Sequence, residues 1–150
     1  MKVLFVCTAN TCRSPMAEEI FNKINDDSNI AAKSAGIVIV PGSFVTENSI
    51  ELIKEELNVD IKNKEAIQLN ESMLQESDII LTMTEYGRNF IKNNYPNYKD
   101  KVFSICEYAG VKGEITDPYG STISVYNKTY KELEDIVTLI IGKLKKAGSV

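Results

Sequence analysis

The sequence contains no histidine. That absence excludes serine–histidine and cysteine–histidine hydrolases and removes the commonest metal ligand, so proton transfer must fall to Asp, Glu, Lys, Tyr or Cys. Cysteine is scarce as well, with only Cys7, Cys12 and Cys106. An odd number at these spacings is neither a disulfide framework nor a paired C-x-x-C zinc site, and it fits a reducing compartment. No apolar run is long enough for a secretory leader or a membrane span. The one at the N-terminus is Val3-Leu4-Phe5-Val6. Basic residues do not dominate: 17 Lys and Arg against 21 Asp and Glu leave a net charge of −4, which argues against a nucleic-acid partner. The expectation is a cytoplasmic protein with no membrane and no nucleic-acid contact, in which any anion site is built locally against the overall field.

What is present reads as one globular domain, 1–150. Hydrophobic residues make up 43% and charged residues 25%, and a chain of 150 residues can bury a core without a disulfide or metal. Lys2 to Val6 reads as a buried strand. A helix begins at Ser14, with Ser14 suited to the cap, Pro15 to the first helical position, and Ala17, Ile20, Phe21 and Ile24 at helical spacing. Ile30 to Ala35 is a second strand, stopped by Gly36. Ile50, Ile53 and Leu57 mark a helix, and a short helix is expected within Ile67 to Gln75. Ile79 to Met83 is a third strand, Tyr86 to Asn93 a helix, and Val102 to Ile105 a fourth strand. The last helix runs from Ser124 to Lys146, with Tyr126, Tyr130, Leu133, Val137, Ile140 and Leu144 as its apolar stripe. Strands alternating with helices predict a three-layer α/β domain with a parallel sheet.

Chemistry concentrates between the first strand and the first helix, in Cys7-Thr8-Ala9-Asn10-Thr11-Cys12-Arg13-Ser14. This is C-x5-R-S at a strand-to-helix turn. Five intervening residues can curl so that the N–H groups of Thr8, Ala9, Asn10, Thr11 and Cys12 form an anion nest, aided by the helix N-terminus. Cys7 would sit at the floor as nucleophile. Arg13 would grip two phosphate oxygens with its planar fork, and Ser14 would hydrogen-bond the sulfur. Asn10 is the residue suited to the left-handed conformation that so tight a ring needs. The alternative for Cys7 is a small buried residue at a strand end. Thr116-Asp117-Pro118-Tyr119-Gly120 is by itself a turn, but it follows the fourth strand and should reach the same sheet edge, where ligands bind in such folds. With no histidine available, Asp117 is the candidate proton donor, and Tyr119 the pocket wall beside it. Cys12 has two readings: a loop filler, or a partner for a reversible disulfide with Cys7 that shields the thiolate. Cys106 reads as core.

The loop Cys7 to Ser14, the helix start Ser14-Pro15-Met16-Ala17-Glu18 and the late Asp117-Pro118-Tyr119 together resemble the low-molecular-weight protein phosphatases. Ser34-Ala35-Gly36 and Leu81-Thr82-Met83-Thr84 also look like that family, and the resemblance spans nearly the whole chain. It implies a four-stranded parallel sheet in order 2-1-3-4 with helices on both faces and the phosphate loop after strand 1. It also implies a phosphocysteine intermediate, no metal and no cofactor, a phosphorylated protein as substrate, inorganic phosphate as product, and a monomer. Within the family the chain looks most like the bacterial protein-arginine phosphatases. Thr11 stands where tyrosine-specific members usually carry isoleucine, Tyr119-Gly120 replaces their usual pair of aromatics, and the helix Val125 to Lys146 is similar to that branch. A protein-tyrosine phosphatase of the same fold is the principal alternative. An arsenate reductase would need a further cysteine pair after the third strand, and a phosphocarrier would need neither Arg13 nor Asp117. Ala9 departs from the family's usual glycine. If that position requires positive φ, Ala9 is strained by roughly 1 kcal/mol or more.

Overall fold

In the computed structural model, which describes residues 1–148, the strands β1 (Lys2–Cys7), β2 (Ala31–Gly36), β3 (Ile79–Thr82) and β4 (Val102–Ser104) form one parallel sheet in the order β2-β1-β3-β4. The helices are α1 (Arg13–Ile24), α2 (Glu47–Leu57), α3 (Glu71–Glu76), α4 (Glu85–Asn94), α5 (Ile105–Ala109) and α6 (Ile123–Gly148).

From Val3 onward β1 is apolar without interruption because both of its faces are covered. Val3, Phe5 and Cys7 face a core shared with α1, α2, α5 and α6, while Leu4 and Val6 face a second core containing Leu74 of α3 and Ile91 of α4. The period-2 alternation of a strand thus splits one hydrophobic run between two layers. All six residues of the α6 stripe are buried, so the amphipathic pattern there was a faithful signal. After β1 the chain crosses to β2 on one side, and later elements build outward on the other. The carboxyl end of β1 therefore opens at a topological switch point, the position where such sheets leave a crevice.

Two expectations need correction. Helix α1 starts at Arg13 with Cys12 in the capping position, so Ser14 lies inside the helix and Pro15 is its third residue. Ser14 cannot cap because its hydroxyl is engaged by Cys7 and Asn10. Pro15 costs no helical bond there, since first-turn N–H groups have no intrahelical acceptor. Second, Asp117 does not follow β4 directly: α5 intervenes, and Asp117 lies on the segment between α5 and α6. Asn10 takes the left-handed conformation expected of it, at φ 57, whereas Ala9 does not have positive φ, so no such strain arises there.

Candidate active site

The floor of the site is Cys7, the last residue of β1. Its Sγ is hydrogen-bonded to Ser14 Oγ at 2.9 Å, and the backbone N–H of Asn10 donates to the same sulfur at 3.3 Å. The Asn10 N–H points its dipole at the sulfur, and the Ser14 hydroxyl is within reach to donate to it. Asn10 holds the loop's curl. Its side-chain amide donates to Ser14 Oγ (2.8 Å) and Ser34 Oγ (3.0 Å), and its carbonyl oxygen accepts from the Ile67 N–H (2.9 Å). Ser34 passes the network outward by donating to Glu18 Oε1, and Lys64 pairs with Glu18 Oε2 at 3.1 Å.

The loop backbone is tied down from two sides. Ile37 and Val38 donate to the carbonyls of Cys7 and Thr8, at 3.0 and 2.9 Å, and Thr46 donates to that of Thr11 at 3.0 Å. Gly36 lets the chains come this close. A Cβ there would meet Ala9 C and Asn10 N at 2.9 Å and Ile39 Cγ2 at 2.8 Å. Cys12 Sγ contacts Tyr126 Oη at 3.4 Å and Thr46 Oγ1 at 3.5 Å. Burial together with the Cys12 hydrogen bond pushes the Tyr126 phenol up to about 12, so it remains a neutral donor. All three cysteines are free thiols.

Arg13 and Asp117 meet at the mouth. The guanidinium is nearly enclosed; its Nη1 donates to the Ile115 carbonyl at 3.3 Å, and its Nη2 lies 3.5 Å from Asp117 Oδ2. The Asp117 side chain is 56% exposed. Its other oxygen accepts from the Tyr119 N–H at 3.1 Å. The cavity between them, about 340 Å³, is lined by Cys7, Thr8, Ala9, Thr11, Cys12, Arg13, Val40, Ser43, Asp117 and Tyr119. Among the described residues no group of three or more His, Cys, Asp or Glu is placed to hold a metal ion, and no helix is long and apolar enough to cross a membrane.

The chain is similar to known proteins over nearly its whole length. Residues 2–150 match the model of the low molecular weight phosphotyrosine protein phosphatases. The chain belongs to that family. It is 36% identical over 149 residues to a protein-arginine-phosphatase of Bacillus subtilis, covering 97% of this chain and 98% of that one. It is also 36% identical over 140 residues to the low molecular weight protein-tyrosine-phosphatase PtpB of Staphylococcus epidermidis, covering 93% and 96%. Among solved structures, a YwlE arginine phosphatase mutant with a phosphorylated active-site serine superposes with TM-score 0.91, at 35% identity over 97% of each chain. A low molecular weight protein tyrosine phosphatase from T. tengcongensis superposes with TM-score 0.90, at 41% identity over 95% of this chain and 99% of that chain.

Of the residues singled out from the sequence, Cys7, Thr8, Ala9, Thr11, Cys12, Arg13, Asp117 and Tyr119 all line this one cavity. Asn10 and Ser14 lie fully buried beneath it. The sequence alone did not mark Glu18, Thr46, Val40 or Ser43 as site residues; Glu18 and Ser34 carried a family likeness, and Gly36 that likeness and the end of the second strand. Gly36 had a readable signal, a glycine closing a strand beside the catalytic one. Thr46 and Val40 reach the site only through tertiary contacts.

Proposed function

We propose that this chain removes phosphoryl groups from phosphoarginine side chains of proteins through a phosphocysteine intermediate on Cys7. That it is a cysteine-dependent protein phosphatase follows from its family. The observation that carries the mechanism is the convergence on one pocket of a hydrogen-bonded Cys7 sulfur, an enclosed Arg13 guanidinium and an exposed Asp117 carboxyl 3.5 Å from it.

In the first step the Cys7 thiolate attacks phosphorus in line. An S–P bond forms and the P–N bond breaks. Arg13 and the loop amides hold the equatorial oxygens, whose charge changes in the transition state. A guanidine cannot leave as an anion, so Asp117 in its acid form delivers a proton to the departing nitrogen. The resulting carboxylate then lies beside the emerging cation. In the second step that carboxylate takes a proton from water, the hydroxide oxygen bonds to phosphorus, and the S–P bond breaks. Inorganic phosphate leaves and the thiolate is restored. Asn10 and Ser14 stabilise the sulfur in both steps, and Thr8, Ala9 and Cys12 complete the cradle.

The preference for arginine rests on Thr11 and Tyr119. Thr11 is a polar residue among those that line the pocket, and its hydroxyl can orient the bound group or the attacking water. Tyr119, 67% exposed, is followed by Gly120, so one aromatic face remains to stack on a planar guanidinium. Phosphotyrosine is the second reading, favoured by Val40, whose apolar side chain lines the same pocket. The protein is proposed to act in the cytoplasm, as a monomer and as a single domain. The test is phosphate release from phosphoarginine- and phosphotyrosine-bearing proteins. Wild type is expected to favour phosphoarginine, Thr11→Ile to shift preference toward phosphotyrosine, and Cys7→Ser to release nothing. A strong wild-type preference for phosphotyrosine would overturn the arginine assignment.

A further inference from the structure

Asp117 sits on a segment without regular structure between α5 and α6, and its own side chain is largely in solvent. Arg13 and the Tyr119 N–H hold the two carboxyl oxygens, but the backbone that carries the carboxyl must be fixed as well. The residue before it, Thr116, has every polar group taken by α6. Its N–H donates to Glu132 Oε1 at 3.0 Å, its hydroxyl donates to Glu132 Oε2 at 3.0 Å, and its carbonyl accepts from Thr129 Oγ1 at 3.0 Å. Thr129 and Glu132 are three apart on one helix and so share a face. Thr129 is fully buried, and Leu133 and Tyr130 beside them lie in the core, so this face cannot drift. On the other side, Pro118 is buried and restricts the chain after Asp117.

We propose that Glu132, with Thr129, is a positioning residue that aims Asp117 at the leaving atom. This rests on the assignment of Asp117 as proton donor. A carboxylate suits the task because it accepts from two donors at once, whereas glutamine offers one acceptor oxygen and an N–H2 group that needs acceptors of its own. Glu132 does not line the pocket, so its effect passes through Thr116 and the backbone to Asp117.

The test compares leaving groups. Phosphoarginine needs a proton to depart, whereas p-nitrophenyl phosphate releases a stable anion, and kcat/KM reports only steps up to that departure. Glu132→Ala is expected to lower kcat/KM for a phosphoarginine peptide by about tenfold to a hundredfold, the range for a catalytic group misplaced by an ångström. It should leave kcat/KM for p-nitrophenyl phosphate and inhibition by inorganic phosphate nearly unchanged. Glu132→Gln should fall between. In an Asp117→Asn background Glu132→Ala should cost nothing further, because there is no donor left to aim. Equal losses on both substrates, or a full additional loss in the Asp117→Asn background, would overturn the proposal and leave Glu132 a structural residue. If Glu132→Ala does not fold, Thr129→Val decides: a loss confined to phosphoarginine supports the proposal, and a loss on both substrates overturns it. If Asp117→Asn itself shows no dependence on the leaving group, Asp117 is not the donor, and both assignments fall together.

Discussion

Replacing Asn10 by alanine strikes the residue on which the loop's shape depends. Asn10 is fully buried, holds φ 57, and makes three side-chain hydrogen bonds. Alanine in the left-handed region costs about 1 kcal/mol. The Ile67 N–H loses its acceptor inside the protein, at about 1–3 kcal/mol. Ser14 and Ser34 lose an incoming donor but keep other partners, Cys7 and Glu18, so those bonds cost about 0.5–1.5 kcal/mol each. The variant should therefore lose about 3–7 kcal/mol, a large part of the stability of a domain this size. Asn10→Gly relieves only the φ penalty and should recover about 1 kcal/mol of it. Urea unfolding of the three proteins, followed by circular dichroism, measures both steps. A loss below about 1 kcal/mol for Asn10→Ala, the worth of a single hydrogen bond, would refute the claim that this side chain organises the loop.

Gly36→Ala pushes a methyl against the backbone of Ala9 and Asn10; a cost of about 1–3 kcal/mol in urea midpoint, with a fall in activity, is expected. Arg13→Lys keeps the charge but loses the fork and should lower kcat/KM by about a hundredfold, as for the loss of one charge-assisted hydrogen bond; steady-state kinetics reads it. Burial raises the phenols of Tyr126, to about 12, and of Tyr130, so unfolded tyrosines ionise before these two do. Their contribution to stability is complete below about pH 10 and is lost as pH rises toward 12. Urea midpoints against pH should show that fall, and it should be shallower in Tyr126→Phe.

The strands and α6 were legible because their signals are local. β1 and β3 are short apolar runs, and the α6 stripe repeats at steps of four and three. The loop from Cys7 to Ser14 was legible for a different reason: C-x5-R-S is a covalent spacing, and a chain with two arginines offers few accidental matches. Where the reading slipped, tertiary demand overrode a local preference. Ser14 has the profile of a cap, but its hydroxyl is needed by Cys7, so the helix begins one residue earlier. Helix α5 went unread although Ser104 and Glu107 have capping-box spacing; the Ser104 hydroxyl accepts from the Glu107 N–H at 3.1 Å. The five residues of α5 are too few to show a helical period. The contact of Glu132 with Thr116 spans sixteen residues and leaves no periodic trace.

The most direct measurement is mass analysis of acid-quenched Asp117→Asn enzyme after mixing with p-nitrophenyl phosphate. Bond formation to sulfur needs no proton donor with that substrate, while hydrolysis of the intermediate lacks its base, so one phosphoryl group should accumulate on the peptide containing Cys7. Turnover without any phosphoryl group on that cysteine, or phosphate release that survives Cys7→Ser, would contradict the account.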